Sequence, residues 1–403
     1  MIFLDGGHPL ALGGERNLSD PFESLDAVLG YAELPLRDEE CSLGWVALDL
    51  PITVSLLQVS VAGQAAAAEH RDALCMLWEG QAAKLTTRGA RRFQILSLDG
   101  GGLRGMFSAA VLAKLEEDLD LRIVDHFDLI AGTSTGGIIA LGLGLGMSPR
   151  QILEFYTGHG PRIFRDRSRL RGVRHLLRAK YAAKPLCSAL TEVLGDRKFG
   201  ESSKRLVITS YNMRADDVYL FRTPHLPSLT RDWRESAVNV AMATSAAPTY
   251  LPSMGLDSNR LVDGGIWANN PVMVALTEAV GPLGRDLDSI RIFSLGTTNE
   301  VRHRGLRLDR GGLLPWARDA VEILMRAQSE SATKQARHFL GNEHVLRLNP
   351  MVPTGVLALD RIEPDELIGR AAHESRGASP TFTRCFGDHF APVYAPHYPP
   401  RKD

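Results

Sequence analysis

The run Phe93-Gln-Ile-Leu-Ser-Leu-Asp99 is short, apolar and β-rich, and it ends directly in Gly100-Gly101-Gly102-Leu-Arg104-Gly105. A second run, Phe127-Asp-Leu-Ile-Ala131, ends in Gly132-Thr-Ser134-Thr-Gly136, and Gly137-Ile-Ile-Ala-Leu-Gly-Leu143 follows as a buried helix start. Two strand-to-helix turns in succession restrict the chain to an α/β arrangement in which strands and helices alternate. They also set a donor-rich backbone loop beside an exposed hydroxyl, the pairing that serine acyl transfer requires.

Each half of that pair has a competing reading. Gly100-x-Gly102-x-x-Gly105 satisfies the dinucleotide-binding pattern, which needs an acid at the end of the next strand to hold the ribose hydroxyls. That strand ends in Gly132-Thr133-Ser134, and its Asp128 stands at the other end. Gly-x-Ser-x-Gly is weak by itself in a chain with 38 glycines among 403 residues; the strand before it and the helix after it are the setting a nucleophile elbow demands. A Ser/Thr helix cap is the bland alternative.

From Arg91 onward the alternation continues, so a central, mostly parallel sheet flanked by helices is expected. Strands are predicted at 93–98, 126–131, 205–211, 217–222, 260–263, 289–295 and 345–349. Helices are predicted at 106–119, 135–145, 149–158, 185–195, 232–244, 271–280, 315–340 and 363–376. Residues 1–90 have no clean periodicity beyond one strand-like apolar run and an alanine-rich helix around Gly63–Lys84. The expected organisation is an N-terminal extension over 1–90, a catalytic domain over 91–300, and a helical region over 301–403 that completes it.

Charge separates these parts. Residues 1–90 carry 13 acidic and 5 basic side chains, and the remainder carries 34 acidic and 41 basic. Between Arg162 and Lys180 stand Arg165, Arg167, Arg169, Arg171, Arg174 and Arg178, with Asp166 the only acid. A solvated face is one reading of this cluster. The other is an anion site for lipid headgroups or a phosphate-bearing ligand, with Arg165, Arg167, Arg169 and Arg171 as its candidate ligands. No aromatics interleave, which argues against nucleic acid. Four scattered cysteines form no C-x-x-C pair, so neither a disulfide framework nor a zinc site is expected, and no metal or cofactor is called for. Trp45–Gly63 is interrupted by Asp49 and Pro51 and makes a poor membrane span. A cytoplasmic protein, transiently at the inner membrane surface, is the expectation.

A serine nucleophile needs a base. Ser134, Asp263 and His389 have the chain order of an α/β-hydrolase triad, although His389 sits in a tail, Phe386-Gly-Asp-His-Phe-Ala-Pro, that suits a packed histidine. Asp263 itself is delivered by Arg260-Leu-Val to a Gly264-Gly265 turn, which an ordinary Asp-Gly turn also explains.

Asp99-Gly-Gly-Gly-Leu-Arg-Gly105, Gly132-Thr-Ser-Thr-Gly136, Ala243-Thr-Ser-Ala-Ala-Pro-Thr-Tyr250 and Asp263-Gly-Gly265, in this order, resemble the patatin-like phospholipases. The resemblance covers residues 91–300 and implies a three-layer patatin-like fold that hydrolyses acyl esters of membrane glycerophospholipids with a Ser–Asp dyad. Ser134 would be the nucleophile and Asp263 the base. The backbone at Gly100, Gly101 and Gly102 would form the oxyanion hole, with Arg104 adding positive charge nearby. Ala327-Gln328, Gln335-Ala-Arg-His-Phe-Leu-Gly341 and Ala391-Pro-Val-Tyr394 are similar to stand-alone bacterial patatins, some of which are antiphage (CBASS) effectors switched on by a cyclic dinucleotide. Three classes are therefore carried forward: a constitutive lipid acyl hydrolase, a cyclic-dinucleotide-activated one, and a non-catalytic lipid- or dinucleotide-binding protein. A homo-oligomer is compatible with each.

Overall fold

Strand β3 (Phe93–Leu98) sends Leu96 and Leu98 to one face of a sheet and Phe93 and Ile95 to the other. All six of its residues are buried, so the strand lies inside the molecule with helices on both sides. The structure is a computed structural model, and it describes residues 44–50, 53–59, 92–164, 179–300, 309, 312–352, 357–358, 361–362 and 364–398.

The chain divides into two units, Met1–Arg88 and Gly89–Asp403. In the first, β1 (Gly44–Leu50) pairs antiparallel with β2 (Thr53–Val59), Gly44 opposite Val59 and Leu50 opposite Thr53. The apolar run of this region is thus a hairpin. The helix expected around Gly63–Lys84 lies outside the described residues.

In the second unit β3 is followed by α1 (Gly105–Leu119), β4 (Leu129–Thr133), α2 (Thr135–Gly144), α3 (Pro149–Ile163) and α4 (Ala183–Leu194). Then come β5 (Arg205–Asn212), β6 (Asp217–Arg222), α5 (Ala237–Thr244), β7 (Met254–Leu256), β8 (Asn259–Asp263), a single turn α6 (Gly265–Ala268), α7 (Val272–Val280) and β9 (Ile290–Leu295). The described part ends with β10 (Asn299–Glu300), α8 (Leu313–Leu340), β11 (Val345–Leu348), β12 (Met351–Val352), β13 (Leu357–Ala358), β14 (Arg361–Ile362) and α9 (Pro364–Phe386).

Eight strands form the central sheet in the order β11-β9-β3-β4-β5-β8-β7, with β6 also paired to β5. The pairings from β11 through to β5 are all parallel. Strand β8 departs from the parallel pattern: it runs antiparallel to β5. Period-2 alternation builds two cores. One lies under α1–α5 and α9 and includes Leu96, Ile130, Ile208 and Phe293; the other lies under α7 and α8 and includes Ile95, Leu129, Val207 and Ile292. The result is a three-layer α/β fold.

The C-terminal elements belong to this same body. Strand β11 extends the sheet beside β9. Phe382 and Phe386 of α9 stack at 5.3 Å between ring centroids and pack on Phe127 and Phe293.

Candidate active site

Register explains how two residues distant in sequence meet. Thr133, the last residue of β4, pairs with Thr209 of β5, and the next residue of β5, Ser210, pairs with Asp263 at the end of β8. Ser134 and Asp263 therefore occupy one level of the sheet on either side of β5. Because β8 is antiparallel, its C-terminal end descends to this level from above.

Ser134 caps the start of α2 with φ +54° and ψ −121°, a conformation that a non-glycine residue adopts only under constraint. The constraint is visible. Its N–H donates to Thr244 Oγ1 at 2.9 Å, and Thr244 Oγ1 donates to Thr209 O at 2.6 Å. Tyr156 of α3 grips the next residue, with its hydroxyl 2.5 Å from Thr135 Oγ1 and 3.1 Å from Thr135 O. The flanking glycines are steric requirements. A β-carbon on Gly132 would fall 2.4 Å from Gly136 O, and one on Gly136 would fall 2.2 Å from Leu98 O.

The Ser134 side chain makes no capping bond to α2. Its hydroxyl lies instead beside the Asp263 carboxylate, which accepts Gly265 N–H on Oδ1 at 2.7 Å. A helix cap would have used that hydroxyl for the backbone. Asp263 is buried, and this raises its pKa to about 6 against the lowering effect of the Ser134 and Gly265 hydrogen bonds. A carboxylate titrating near 6 is a far better proton acceptor at neutral pH than one titrating at about 3.9.

The glycine loop divides in its roles. Gly100 N–H is already committed, donating to Asn269 O at 3.0 Å, so Gly100 has no N–H to offer an oxyanion and supplies only close approach: a β-carbon there would fall 3.3 Å from Ser134 Cβ. The N–H groups of Gly101 and Gly102 have no acceptor among the described residues. Gly102 holds φ +60°, a left-handed turn that glycine enters freely. Arg104 braces the loop, with Nε 3.4 Å from Gly101 O and Nη1 3.4 Å from Thr298 O.

Asp99, at the head of this loop, is clamped from the far end of the chain. Arg347 of β11 donates Nη1 to Asp99 Oδ1 at 2.7 Å and Nη2 to Oδ2 at 2.6 Å, and Nη1 also reaches Ser294 Oγ at 2.9 Å. Burial pushes the Asp99 carboxyl up while the guanidinium pulls it back down.

His389 lies elsewhere. Its Nε2 is 2.7 Å from Asp128 Oδ2, and its carbonyl lies 2.8 Å from His126 Nδ1. Asp128 immediately precedes β4 and Ser134 immediately follows it, so the histidine stands at the opposite end of that strand from the hydroxyl. The same pair accounts for the acid that a dinucleotide site would need: Asp128 carries His389 and Gln94 N–H. The arginines at 165, 167, 169 and 171 lie outside the described residues. Thr244, Tyr156, Asn269 and Arg347 are parts of the site to which the sequence attached no role. Thr244 stands inside the Ala-Thr-Ser-Ala-Ala-Pro motif, whereas nothing local signals Arg347, 248 positions from its partner.

The patatin-like phospholipase family profile matches residues 96–276. A cGAMP-activated phospholipase of Pseudomonas aeruginosa is 35% identical over 283 residues, covering 68% of this chain and 84% of that protein. Another of that name from Escherichia coli is 37% identical over 224 residues, 52% of this chain and 63% of its own length. Among solved structures, VipD from Legionella pneumophila aligns with a TM-score of 0.39 at 12% identity over 74% of this chain and 67% of that one. Among the described residues, no helix is long and apolar enough to cross a membrane. With this family's profile over the residues that build the glycine loop, the elbow and the Asp263 turn, and with that degree of identity to a relative, the chain belongs to the patatin-like phospholipases and is a lipid acyl hydrolase.

Proposed function

We propose that the chain hydrolyses acyl esters of membrane glycerophospholipids through Ser134 and Asp263, under the control of a cyclic dinucleotide. The observation that carries the catalytic part is the register that puts Ser134, just after β4, and the buried carboxylate of Asp263, at the end of β8, at one level of the sheet on either side of β5; burial raises that carboxyl's pKa to about 6. Ser134 Oγ attacks the ester carbonyl while its proton passes to Asp263. The tetrahedral oxyanion takes the N–H groups of Gly101 and Gly102 and the positive end of α2. Collapse breaks the ester C–O bond, the Asp263 proton goes to the departing glyceryl oxygen, and the acyl group stays on Ser134. Water then attacks, its proton passes to Asp263, and Ser134 Oγ leaves and recovers a proton.

Control by a cyclic dinucleotide is supported by the names of the two relatives, both cGAMP-activated. The arginine-rich stretch at 162–180 suits the two phosphates of such a ligand. An antiphage effector role belongs to the same proposal.

Fatty-acid release from anionic phosphatidylglycerol liposomes, with and without cGAMP, tests both parts. The expected result is release only with cGAMP, abolished by Ser134→Ala. Equal release without the nucleotide would make the enzyme constitutive, and release that survives Ser134→Ala would remove the nucleophile. Changing Arg165, Arg167 and Arg169 together to Gln is expected to raise the cGAMP concentration needed for release.

A further inference from the structure

Asn269 ends the turn that follows Asp263, and three of its four polar groups are occupied. Its N–H donates to Gln328 Oε1 at 2.9 Å, its Nδ2 lies 3.3 Å from Ser329 Oγ, and its carbonyl accepts Gly100 N–H at 3.0 Å. Two of these bonds run to α8, and the one from Nδ2 to Ser329 Oγ turns Oδ1 away from that helix. The remaining group, Oδ1, is buried and has no partner among the described residues. Its position is well defined by the glycines around it. A β-carbon on Gly100 would lie 2.6 Å from Asn269 Oδ1 and 3.3 Å from Ser134 Cβ. One on Gly265 would lie 3.2 Å from Asn269 Oδ1 and 3.1 Å from Asp263 Oδ1.

The orphan acceptor thus stands where Ser134 and Asp263 converge. An oxygen acceptor gives nothing to an oxyanion, which needs donors. It also has no task in acylation, because the Ser134 hydroxyl has one proton and Asp263 takes it. The attacking water of the second half-reaction is different. It carries two protons, Asp263 takes one, and the other must be held if the oxygen lone pair is to face the acyl carbon.

We propose that Asn269 Oδ1 holds the hydrolytic water against the acyl-enzyme, accepting one water proton while Asp263 removes the other. The inference rests on the assignment of Ser134 and Asp263 given above. In this step a bond forms between the water oxygen and the acyl carbon and the Ser134 Oγ–C bond breaks. The proton taken by Asp263 passes to Ser134 Oγ, and the second water proton remains on the fatty acid.

The test uses a p-nitrophenyl acyl ester with the full chain and saturating cGAMP, comparing the pre-steady-state burst with the steady rate. Asn269→Leu keeps the volume and removes the acceptor. It is expected to retain a burst stoichiometric with enzyme, to lower the steady rate by about tenfold or more, and to accumulate an acyl adduct visible in the intact mass. Hydroxylamine, a stronger nucleophile with less need of orientation, is expected to restore turnover. A burst and a steady rate that fall by the same factor with no adduct, or an unchanged steady rate, would overturn the proposal. Asn269→Ala serves the same comparison should the Leu variant fail to fold, with thermal melting as the control. A burst that persists in Ser134→Ala would instead remove the underlying nucleophile assignment and this inference with it.

Discussion

The N–H of Ser134 is bound by the hydroxyl of Thr244 at 2.9 Å, and that hydroxyl is anchored in turn to Thr209 O at 2.6 Å. One side chain thereby ties a strained residue of the elbow to the neighbouring strand. Thr244→Val keeps the shape and removes the acceptor, leaving a buried N–H unpaired at a cost of about 1–3 kcal/mol. The strained φ of Ser134 then relaxes, and kcat is expected to fall by about 10- to 100-fold with little change in KM. Thr244→Ser retains the oxygen and is expected to keep most activity. Steady-state kinetics on the two variants, with thermal melts alongside, check this.

Asp263 links pH to both rate and stability. In the proposed dyad only the ionised carboxylate can accept the Ser134 proton, so kcat/KM is expected to rise with pH through about 6 and then level off. Stability runs the other way. Folding disfavours the charged form, so the contribution of this group is fully present below its unfolded value of about 3.9 and is lost as pH rises through about 6. Asp263→Asn is expected to remove that loss and, with the proposed base gone, to abolish turnover. Its gain in unfolding free energy over the wild type is expected to be larger at pH 8 than at pH 4, by at most about 3 kcal/mol. Denaturant titrations at the two pH values measure it.

The elbow at Ser134 and the turn after Asp263 are legible in the sequence because tight turns at strand ends need glycine at fixed spacing, and glycine is conspicuous; which carboxylate partners the serine is legible only through the family resemblance. The layer order is legible for a similar reason: apolar strands that end in turns and alternate with helices can bury both faces only as a helix-covered parallel sheet. Long-range relations leave no such mark. The antiparallel sense of β8 is invisible because its three buried residues, Leu261, Val262 and Asp263, look the same in either direction. Gly100 reads as an oxyanion donor until the fold hands its N–H to Asn269. Helix 364–386 reads as ending near 376, since beyond it Ala378, Phe382 and Phe386 are spaced for a buried helical face but interrupted by Pro380.

The Asp99–Arg347 clamp gives another test. Both side chains are buried, and both nitrogens of the fork are used. Arg347→Met leaves the carboxylate unpaired at the head of the glycine loop and is expected to destabilise the fold by about 3–5 kcal/mol. Arg347→Lys keeps a charge and forfeits the two-point grip, so it is expected to fall between. Adding Asp99→Asn to Arg347→Met is expected to recover part of the stability, because the uncompensated charge is then gone. Chemical denaturation of the wild type, Arg347→Met, Asp99→Asn and the double variant as a double-mutant cycle yields the coupling between the pair.

His389 separates a Ser–Asp dyad from a triad. Its ring is bound to Asp128, at the other end of β4 from Ser134, and the carbonyl of the same residue faces His126. If that contact is structural, His389→Ala costs about 1–3 kcal/mol by stripping one partner from a buried carboxylate that keeps Gln94 N–H. Turnover measured well below the melting transition is then expected to stay within about threefold of the wild type, against a loss of about 10⁴-fold or more where a triad histidine is removed. A loss of that size with an unchanged melting curve would mean that the histidine reaches the serine during turnover. A lower melting temperature with preserved kcat is what the His389–Asp128 geometry requires.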